Sequence, residues 1–320
     1  DKFYETPFLR RLDAVMEYFI DAYETLRGRD MEEEDRELLR RKFDSMYVTK
    51  DVYEIYNHLL ENCGQEALSD VPYEKRKIPY EDVFPMLYLK YRLIGGNAHK
   101  NIKHLVIDEM QDYSYLQYVI LQQLFNCRMT ILGDRAQTLD REQHDVLRFL
   151  PKIFGKGIRT IVMNKSYRNT WEIAKYAEKI SGVTDIELLK RHGKEVEVRS
   201  FPEEEEMLRM IAEQSSEALG REDGGFETAA VITMTEEEAF DIYRLLKNRG
   251  VEASYVDRDS SAFRKGLTVT TFYLAKGLEF DQVFAIRGQK ENPLSEQAEY
   301  ICATRALHEL YVYEVKSIRE

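Results

Sequence analysis

The sequence has few cysteines and no long apolar run. Its three cysteines, Cys63, Cys127 and Cys302, are widely spaced and form no CxxC pair. This spacing excludes a disulfide framework and predicts reduced, mostly buried thiols. The six histidines form no HxxxH pattern and no cluster with cysteine, so we expect no zinc site. The sequence contains no stretch of about 18 apolar residues and no signal-peptide pattern, which predicts a cytoplasmic protein without a membrane span.

Basic residues are not in excess. The chain has 46 Lys and Arg against 58 Asp and Glu, which gives a net charge of −12 and a pI of about 5.2. A protein that binds nucleic acid through a broad basic face should be basic overall. Binding to nucleic acid would therefore have to use a local groove. The 320 residues, 43% of them hydrophobic, are enough for two domains with their own cores.

Hydrophobic periodicity changes near residue 100. Before it, apolar residues recur at helical spacing; from Asn101 onward, short apolar strands alternate with helices. This alternation is typical of βαβ units, so we predict an α/β fold with parallel sheets flanked by helices and a helical N-terminal region. The predicted strands are His104–Ile107, Met129–Leu132, Ile158–Met163, Glu195–Phe201, Ala229–Ile232, Ala253–Val256, Leu267–Thr271, Val283–Ile286 and Leu310–Val315. We expect the first two of these strands to be buried.

Two adjacent carboxylates, Asp108 and Glu109, follow the first predicted strand. Open α/β sheets bind their ligands at the carboxyl ends of the strands. A carboxylate there can hold Mg²⁺ through its waters, and its neighbour can position or deprotonate an attacking water. Taken alone, the pair is also compatible with a solvated strand-to-loop turn. The second strand runs into residues 133–137, so we expect polar groups from two strands at one sheet edge.

Two arginines lie in the second α/β unit. Arg168 follows a predicted strand and Arg305 lies in a predicted helix. Carboxylates on one unit and arginines on another suit a nucleotide held by two domains, since cations stabilise a transferring γ-phosphoryl group. Either arginine by itself would more often be the partner of a surface salt bridge.

Five segments resemble, in the same order, the motifs of the UvrD/Rep type of superfamily 1 helicases. They are His104–Asp112 (motif II, the Walker B element), Thr130–Gln137 (motif III), Asn164–Asn169 (motif IV), Val269–Phe280 (motif V) and Tyr300–Ala306 (motif VI). The form of motif V and the upstream Tyr80-Glu-Asp look most like the HelD, or helicase IV-like, branch. That branch includes motors associated with RNA polymerase.

The resemblance implies catalytic roles for four residues. Asp108 would hold Mg²⁺ and Glu109 would activate the water that attacks ATP. Arg168 and Arg305 would be arginine fingers. The implied cofactors are ATP and Mg²⁺.

It also implies two further sets of contacts. The residues expected to bind the nucleotide are Gln111 and Gln137 at the γ-phosphate, Tyr167 stacked on the adenine and Glu279 near the ribose. The residues expected to couple to nucleic acid are Asp134, Thr271, Lys276 and Gly277. The implied partners are nucleic acid, with single-stranded DNA first, and RNA polymerase if the HelD likeness holds.

The same resemblance implies RecA-like, P-loop NTPase-type domains. Residues 1–100 would be a helical arm or insertion. Residues 101–156 would be a partial first RecA-like domain with motifs II and III, and residues 157–320 a second RecA-like domain with motifs IV to VI.

The sequence departs from the family pattern at three places, one of which is the short spacing between motifs IV and V, which leaves no room for a large inserted second subdomain. It contains no G-x-x-x-x-G-K-[ST] loop, the element whose N–H groups and lysine hold the phosphates. We therefore expect the C-terminal segment of a longer motor, inactive without a Walker A segment. Residues 138–142 after motif III include no aromatic for base stacking, which family members that track single-stranded DNA carry there.

Three functions stay open on the sequence alone. The first is an ATP-driven helicase-like motor that moves along nucleic acid. The second is a HelD-like ATPase that recycles RNA polymerase. The third is a non-catalytic interaction module that kept the helicase fold.

Overall fold

The computed structural model describes residues 6–96, 99, 101–134, 137, 146–183, 186–220, 225–260, 264–288 and 292–316. The chain divides into two compact units. Unit 1 consists of Asp1–Leu132 and Val146–Ile158, and unit 2 of Gly133–Asp145 and Arg159–Glu320. No helix in the described ranges is both long and apolar enough to cross a membrane. The domain boundaries expected from the sequence stay predictions.

Unit 1 is mainly helical, and the predicted helical N-terminal region is confirmed. Its helices are α1 (Phe8–Arg27), α2 (Glu33–Asp44), α3 (Val52–Asn62), α4 (Tyr80–Ile94), α5 (Tyr115–Leu124) and α6 (Val146–Phe154). Side chains satisfy free N–H groups at two helix starts. Asp51 accepts from the Tyr53 N–H at 2.9 Å before α3, and Ser114 and Gln117 form a capping box at α5.

Two strands of unit 1, β1 (His104–Ile107) and β2 (Arg128–Ile131), pair in parallel. Leu105 and Ile107 pack in a core with α5 and α6, whereas Val106 points to the opposite face and is 61% exposed. The prediction that these strands are fully buried is therefore wrong. Within the described residues this sheet has two strands with one face covered, so alternate side chains meet solvent.

The predicted strand Ile158–Met163 does not form in the described structure. Ile161, Val162 and Met163 are 70%, 80% and 81% exposed. The short strand β3 lies just beyond them at Lys165–Ser166 and pairs in parallel with β4 at Glu187–Leu188. β-branched residues favour a strand only where a neighbouring backbone supplies hydrogen bonds and side-chain contacts, which a sequence pattern does not report.

Unit 2 is built on a six-stranded sheet in the order β5-β10-β9-β6-β8-β7, in which every pairing is parallel. The strands are β5 (Glu197–Phe201), β6 (Thr228–Thr233), β7 (Ala253–Tyr255), β8 (Gly266–Thr271), β9 (Phe280–Ile286) and β10 (Ala306–Val315). The helices are α7 (Trp171–Ser181), α8 (Glu204–Leu219), α9 (Glu236–Asn248), α10 (Phe272–Ala275) and α11 (Ser295–Arg305). The predicted α/β class, with parallel sheets flanked by helices, is confirmed.

Each face of this sheet carries its own core. Along β6, Ala230 and Ile232 pack with α7, α10 and α11, while Val231 packs with α8 and α9. On β9, Phe284 joins the second core and stacks on Tyr311 with ring centroids 4.9 Å apart. Strands of a parallel sheet covered on both faces consist of continuous apolar runs, which is why the sequence pattern predicted these strands.

The cysteines are only partly as expected. Cys302 is buried in unit 2, and burial raises the pKa of its thiol to about 12. Cys63 is exposed and Cys127 half-buried, so the prediction of mostly buried thiols is wrong for Cys63. All three are free thiols.

We expect Phe284→Ala to destabilise unit 2 by about 3–5 kcal/mol, because it leaves a cavity at the centre of the sheet. Phe240→Ala is the matched control, since Phe240 is 51% exposed; it should cost about 1 kcal/mol or less. Urea unfolding followed by circular dichroism measures both values. Equal costs would contradict the burial of Phe284 in this core.

Candidate functional site

The two carboxylates after β1 lie on a strained turn. Glu109 has φ 53° and ψ 50°, and it is the only non-glycine residue with positive φ in the described ranges. For a residue with a Cβ this left-handed conformation costs on the order of 1–3 kcal/mol. Such strain persists only where surrounding contacts fix the backbone.

Three hydrogen bonds fix this turn. The Met110 N–H donates to Leu132 O at 2.8 Å, which joins the turn to the end of β2. The hydroxyl of the fully buried Tyr118 donates to Met110 O at 2.9 Å. The Asp112 N–H donates to Glu109 O at 2.9 Å. The backbone that carries Glu109 is therefore held by β2 and by α5.

The same turn brings together three of the predicted site residues. Asp108 Oδ1 accepts from the Glu109 N–H at 2.8 Å. Gln111, which is 7% exposed, donates from Nε2 to Glu109 Oε2 at 2.6 Å. Asp108 itself is exposed, whereas Glu109 is half-buried. A solvent-facing carboxylate thus lies beside a second one that an amide orients.

The donor set at this turn suits Mg²⁺. In the described part of the chain no group of three or more His, Cys, Asp or Glu side chains is arranged to hold a metal ion. Mg²⁺ does not require such a cage, because it keeps several waters and usually binds one or two carboxylates together with substrate phosphates. The exposed Asp108 fits this requirement.

In unit 2, residues from three sequence segments form one polar cluster. Gln137 donates from Nε2 to Asp134 Oδ2 at 2.9 Å and accepts at Oε1 from Arg305 at 3.1 Å. Lys276 Nζ donates to Gln137 O at 3.0 Å. Arg305 is 2% exposed and also donates to Leu278 O at 3.2 Å. The amide of Gln137 therefore links a carboxylate to a buried guanidinium.

Tyr300 belongs to this cluster, although the sequence did not assign it a role. Its hydroxyl donates to Asp134 Oδ2 at 3.2 Å. Burial and the nearby Asp134 carboxylate raise the pKa of this hydroxyl, so it stays a donor at neutral pH. Asp134 and Gln137 belong to unit 2, and their hydrogen bonds to Tyr300, Lys276 and Arg305 lie within that unit.

Arg168 and Arg305 have different environments. Arg168 Nε lies 2.8 Å from Glu279 Oε1, and these two side chains are 46% and 42% exposed. Tyr167, next to it, is 64% exposed. The structure therefore places one predicted arginine in an exposed ion pair and the other in a buried hydrogen-bonded position.

The two remaining predicted residues flank α10. Thr271 ends β8 and is 1% exposed, so its side chain is internal. Gly277 follows α10 with φ 85°, a conformation that favours glycine. That turn sets the direction of the chain between Lys276 and β9. The roles assigned to all these residues from the sequence stay predictions.

Asn169 and Arg191 have contacts that the sequence analysis missed. Each hydrogen-bonds to main-chain carbonyls beyond its own segment. Asn169 could have been noticed because it follows Arg168 in motif IV. No local signal marks Arg191.

Residues 17–139 match the family model of the UvrD/REP helicase N-terminal domain. We call this matched region the UvrD-like segment. It includes the Asp108–Glu109 turn as well as Asp134 and Gln137. This match agrees with the resemblance of motifs II and III to the same family. The likeness to the HelD branch stays a prediction. No match was found among curated proteins.

Solved structures of helicases resemble the chain loosely. The C-terminal domain of a possible DNA helicase from Lactobacillus plantarum WCFS1 is 26% identical, with 48% of this chain and 89% of that chain covered and a TM-score of 0.39. The arterivirus nonstructural protein 10 helicase is 16% identical, with 65% and 38% covered and a TM-score of 0.35. The PRRSV helicase is 15% identical, with 66% and 35% covered and a TM-score of 0.37.

The strained turn predicts that glycine at position 109 gives a more stable protein than alanine, the reverse of their order in a helix. We expect Glu109→Gly to be more stable than Glu109→Ala by about 1 kcal/mol, because glycine adopts positive φ without the Cβ penalty. Thermal or urea unfolding of the two variants gives the difference.

Glu213 supplies the matched control. It is exposed in the middle of α8, where Gly should be less stable than Ala by about 1 kcal/mol. Finding the same sign at both positions would show that Glu109 is not strained.

Proposed function

We propose that this chain is part of an ATP-driven superfamily 1 motor of the UvrD type that moves along nucleic acid in the cytoplasm. One observation carries the proposal. The UvrD-like segment contains the Asp108–Glu109 pair, and the described turn presents both carboxylates with Gln111 bonded to Glu109. A strained, well-anchored turn with an exposed carboxylate supports a functional role more than a simple solvated loop.

In this proposal the two carboxylates have separate tasks. Asp108 is exposed and would hold Mg²⁺ through its waters. When bound, Mg²⁺ supplies positive charge that offsets the charge on the phosphates of ATP. Glu109 would orient the attacking water and accept its proton, while the Gln111 amide keeps the Glu109 carboxylate in place.

Arg168 would supply positive charge for the transferring phosphoryl group. Arg168 is partly exposed and would leave its ion pair with Glu279 to reach the γ-phosphate. Exposed ion pairs are worth about 0–1 kcal/mol, so exchanging one for a phosphate contact is not costly. Gln137, bonded to both Asp134 and Arg305, would link the state of the phosphate to the cluster with Lys276.

In the protein that contains this chain, we expect Glu109→Gln to abolish steady-state ATP turnover while ATP binding persists. The amide keeps the shape of the side chain but cannot accept the proton. Turnover is measured by phosphate release and binding by a fluorescent ATP analogue. Glu213→Gln, the same change on an exposed helix, is the control. Normal turnover in Glu109→Gln would contradict the assignment.

Arg168→Ala should lower kcat for ATP hydrolysis by roughly 10³-fold or more, the effect expected of an arginine finger. Arg209→Ala, an exposed arginine on α8, should leave turnover unchanged. Comparison of melting temperatures separates lost catalysis from lost folding. An Arg168→Ala protein that is stable and fully active would exclude this role.

A second candidate is a HelD-like ATPase that acts on RNA polymerase. The net charge of −12 and the lack of an aromatic in residues 138–142 favour it over tracking on single-stranded DNA. Two measurements separate the candidates. Stimulation of ATPase activity by single-stranded DNA supports the DNA motor, whereas capture of purified RNA polymerase without that stimulation supports the HelD-like function.

A further inference from the structure

Asn169 caps the helix that carries Arg305. Helix α11 ends at Arg305, and the last carbonyls of a helix have no partner within it. Asn169, 9% exposed, donates from Nδ2 to Ala306 O at 2.6 Å, with Ala303 O at 3.4 Å and Thr304 O at 3.5 Å. One buried amide therefore binds the carbonyls on both sides of Arg305, and it belongs to the residue directly after Arg168.

Arg191 makes a second connection between the same two segments. Its NH2 group donates to Arg168 O at 2.8 Å and to Leu307 O at 2.6 Å. Its own carbonyl accepts from the Trp171 N–H at 2.8 Å, at the start of α7. A guanidinium suits this position because one nitrogen offers two donors in a fixed plane.

We propose that Asn169 and Arg191 are positioning residues that fix the backbone of Arg168 relative to the backbone of Arg305. This inference rests on the proposed function, in which Arg168 acts on the γ-phosphate and Gln137, bonded to Arg305, links the state of that phosphate to the cluster. Hydrogen bonds to the main chain restrain the backbone position of each arginine, and they leave the guanidinium of Arg168 able to move. Because misplacement by about 1 Å can cost about 100-fold in rate, such restraint affects turnover without any contact to ATP.

A positioning role makes a different prediction from a structural one. Loss of a structural contact lowers stability and the active fraction, whatever residue stands at position 168. A residue that acts through Arg168 loses most of its effect on kcat once Arg168 is removed, because groups that act as a unit are not additive.

The test uses ATP hydrolysis by the protein that contains this chain. We expect Arg191→Ala to lower kcat by roughly 10- to 100-fold while the KM for ATP stays within about twofold. In an Arg168→Ala background the same change should lower kcat by at most about threefold. An equal loss in both backgrounds, or a wild-type rate for folded Arg191→Ala, would overturn the proposal.

Further variants keep the result interpretable. Asn169→Asp preserves the shape of the side chain but replaces its donor with a negative charge at a helix C-terminus, so it should reproduce the loss in kcat. Lys194→Ala is the matched control, since Lys194 Nζ donates to the Tyr311 hydroxyl at 2.7 Å and not to either segment. It should hydrolyse ATP at the wild-type rate.

The outcomes also separate this inference from the proposed function. If Glu109→Gln and Arg168→Ala are inactive while Asn169→Asp and Arg191→Ala are normal, only the positioning role is wrong. If all four hydrolyse ATP normally, the proposed function fails as well.

Discussion

The parallel direction of the strands is the constraint on which the rest of this structure depends. In all three described sheets every pairing is parallel, so the strand ends of each sheet lie along one edge. Segments at one end of neighbouring strands then become neighbours although they are distant in sequence. In unit 2 the amino ends of β9 and β10 lie side by side, with Phe280 paired to Ala306, which places Arg305 before β10 next to Leu278 before β9.

Backbone groups carry much of the organisation around the predicted arginines. Arg191 and Asn169 bind carbonyls, and Arg305 itself donates to Leu278 O. A hydrogen bond to a main-chain carbonyl fixes the path of the chain and does not require a carboxylate partner. The Glu109 turn in unit 1 follows the same principle, since a main-chain bond and the Tyr118 hydroxyl hold its strained conformation.

Sequence patterns were sufficient where structure is local or both faces are covered. The bounds of β1 were predicted as observed, and β6 and β9 were predicted to within a few residues, because apolar runs and flanking turns are local signals. The segment Ile158–Met163 carries the same signal and forms no strand in the described structure. A strand forms only where a neighbouring strand supplies hydrogen bonds. Val106 shows in the same way that the burial of a strand residue depends on what covers that face of the sheet.

The sequence by itself determined the α/β class, the helical N-terminal region and the candidate residues of the motifs. Tertiary structure alone decided which candidates touch. Gln137 and Arg305 are 168 positions apart, and Asn169 and Ala306 are 137 apart, so no local pattern contains either contact. The left-handed conformation of Glu109 is likewise a result of packing, since an isolated chain avoids positive φ at a residue with a Cβ and only surrounding hydrogen bonds hold it.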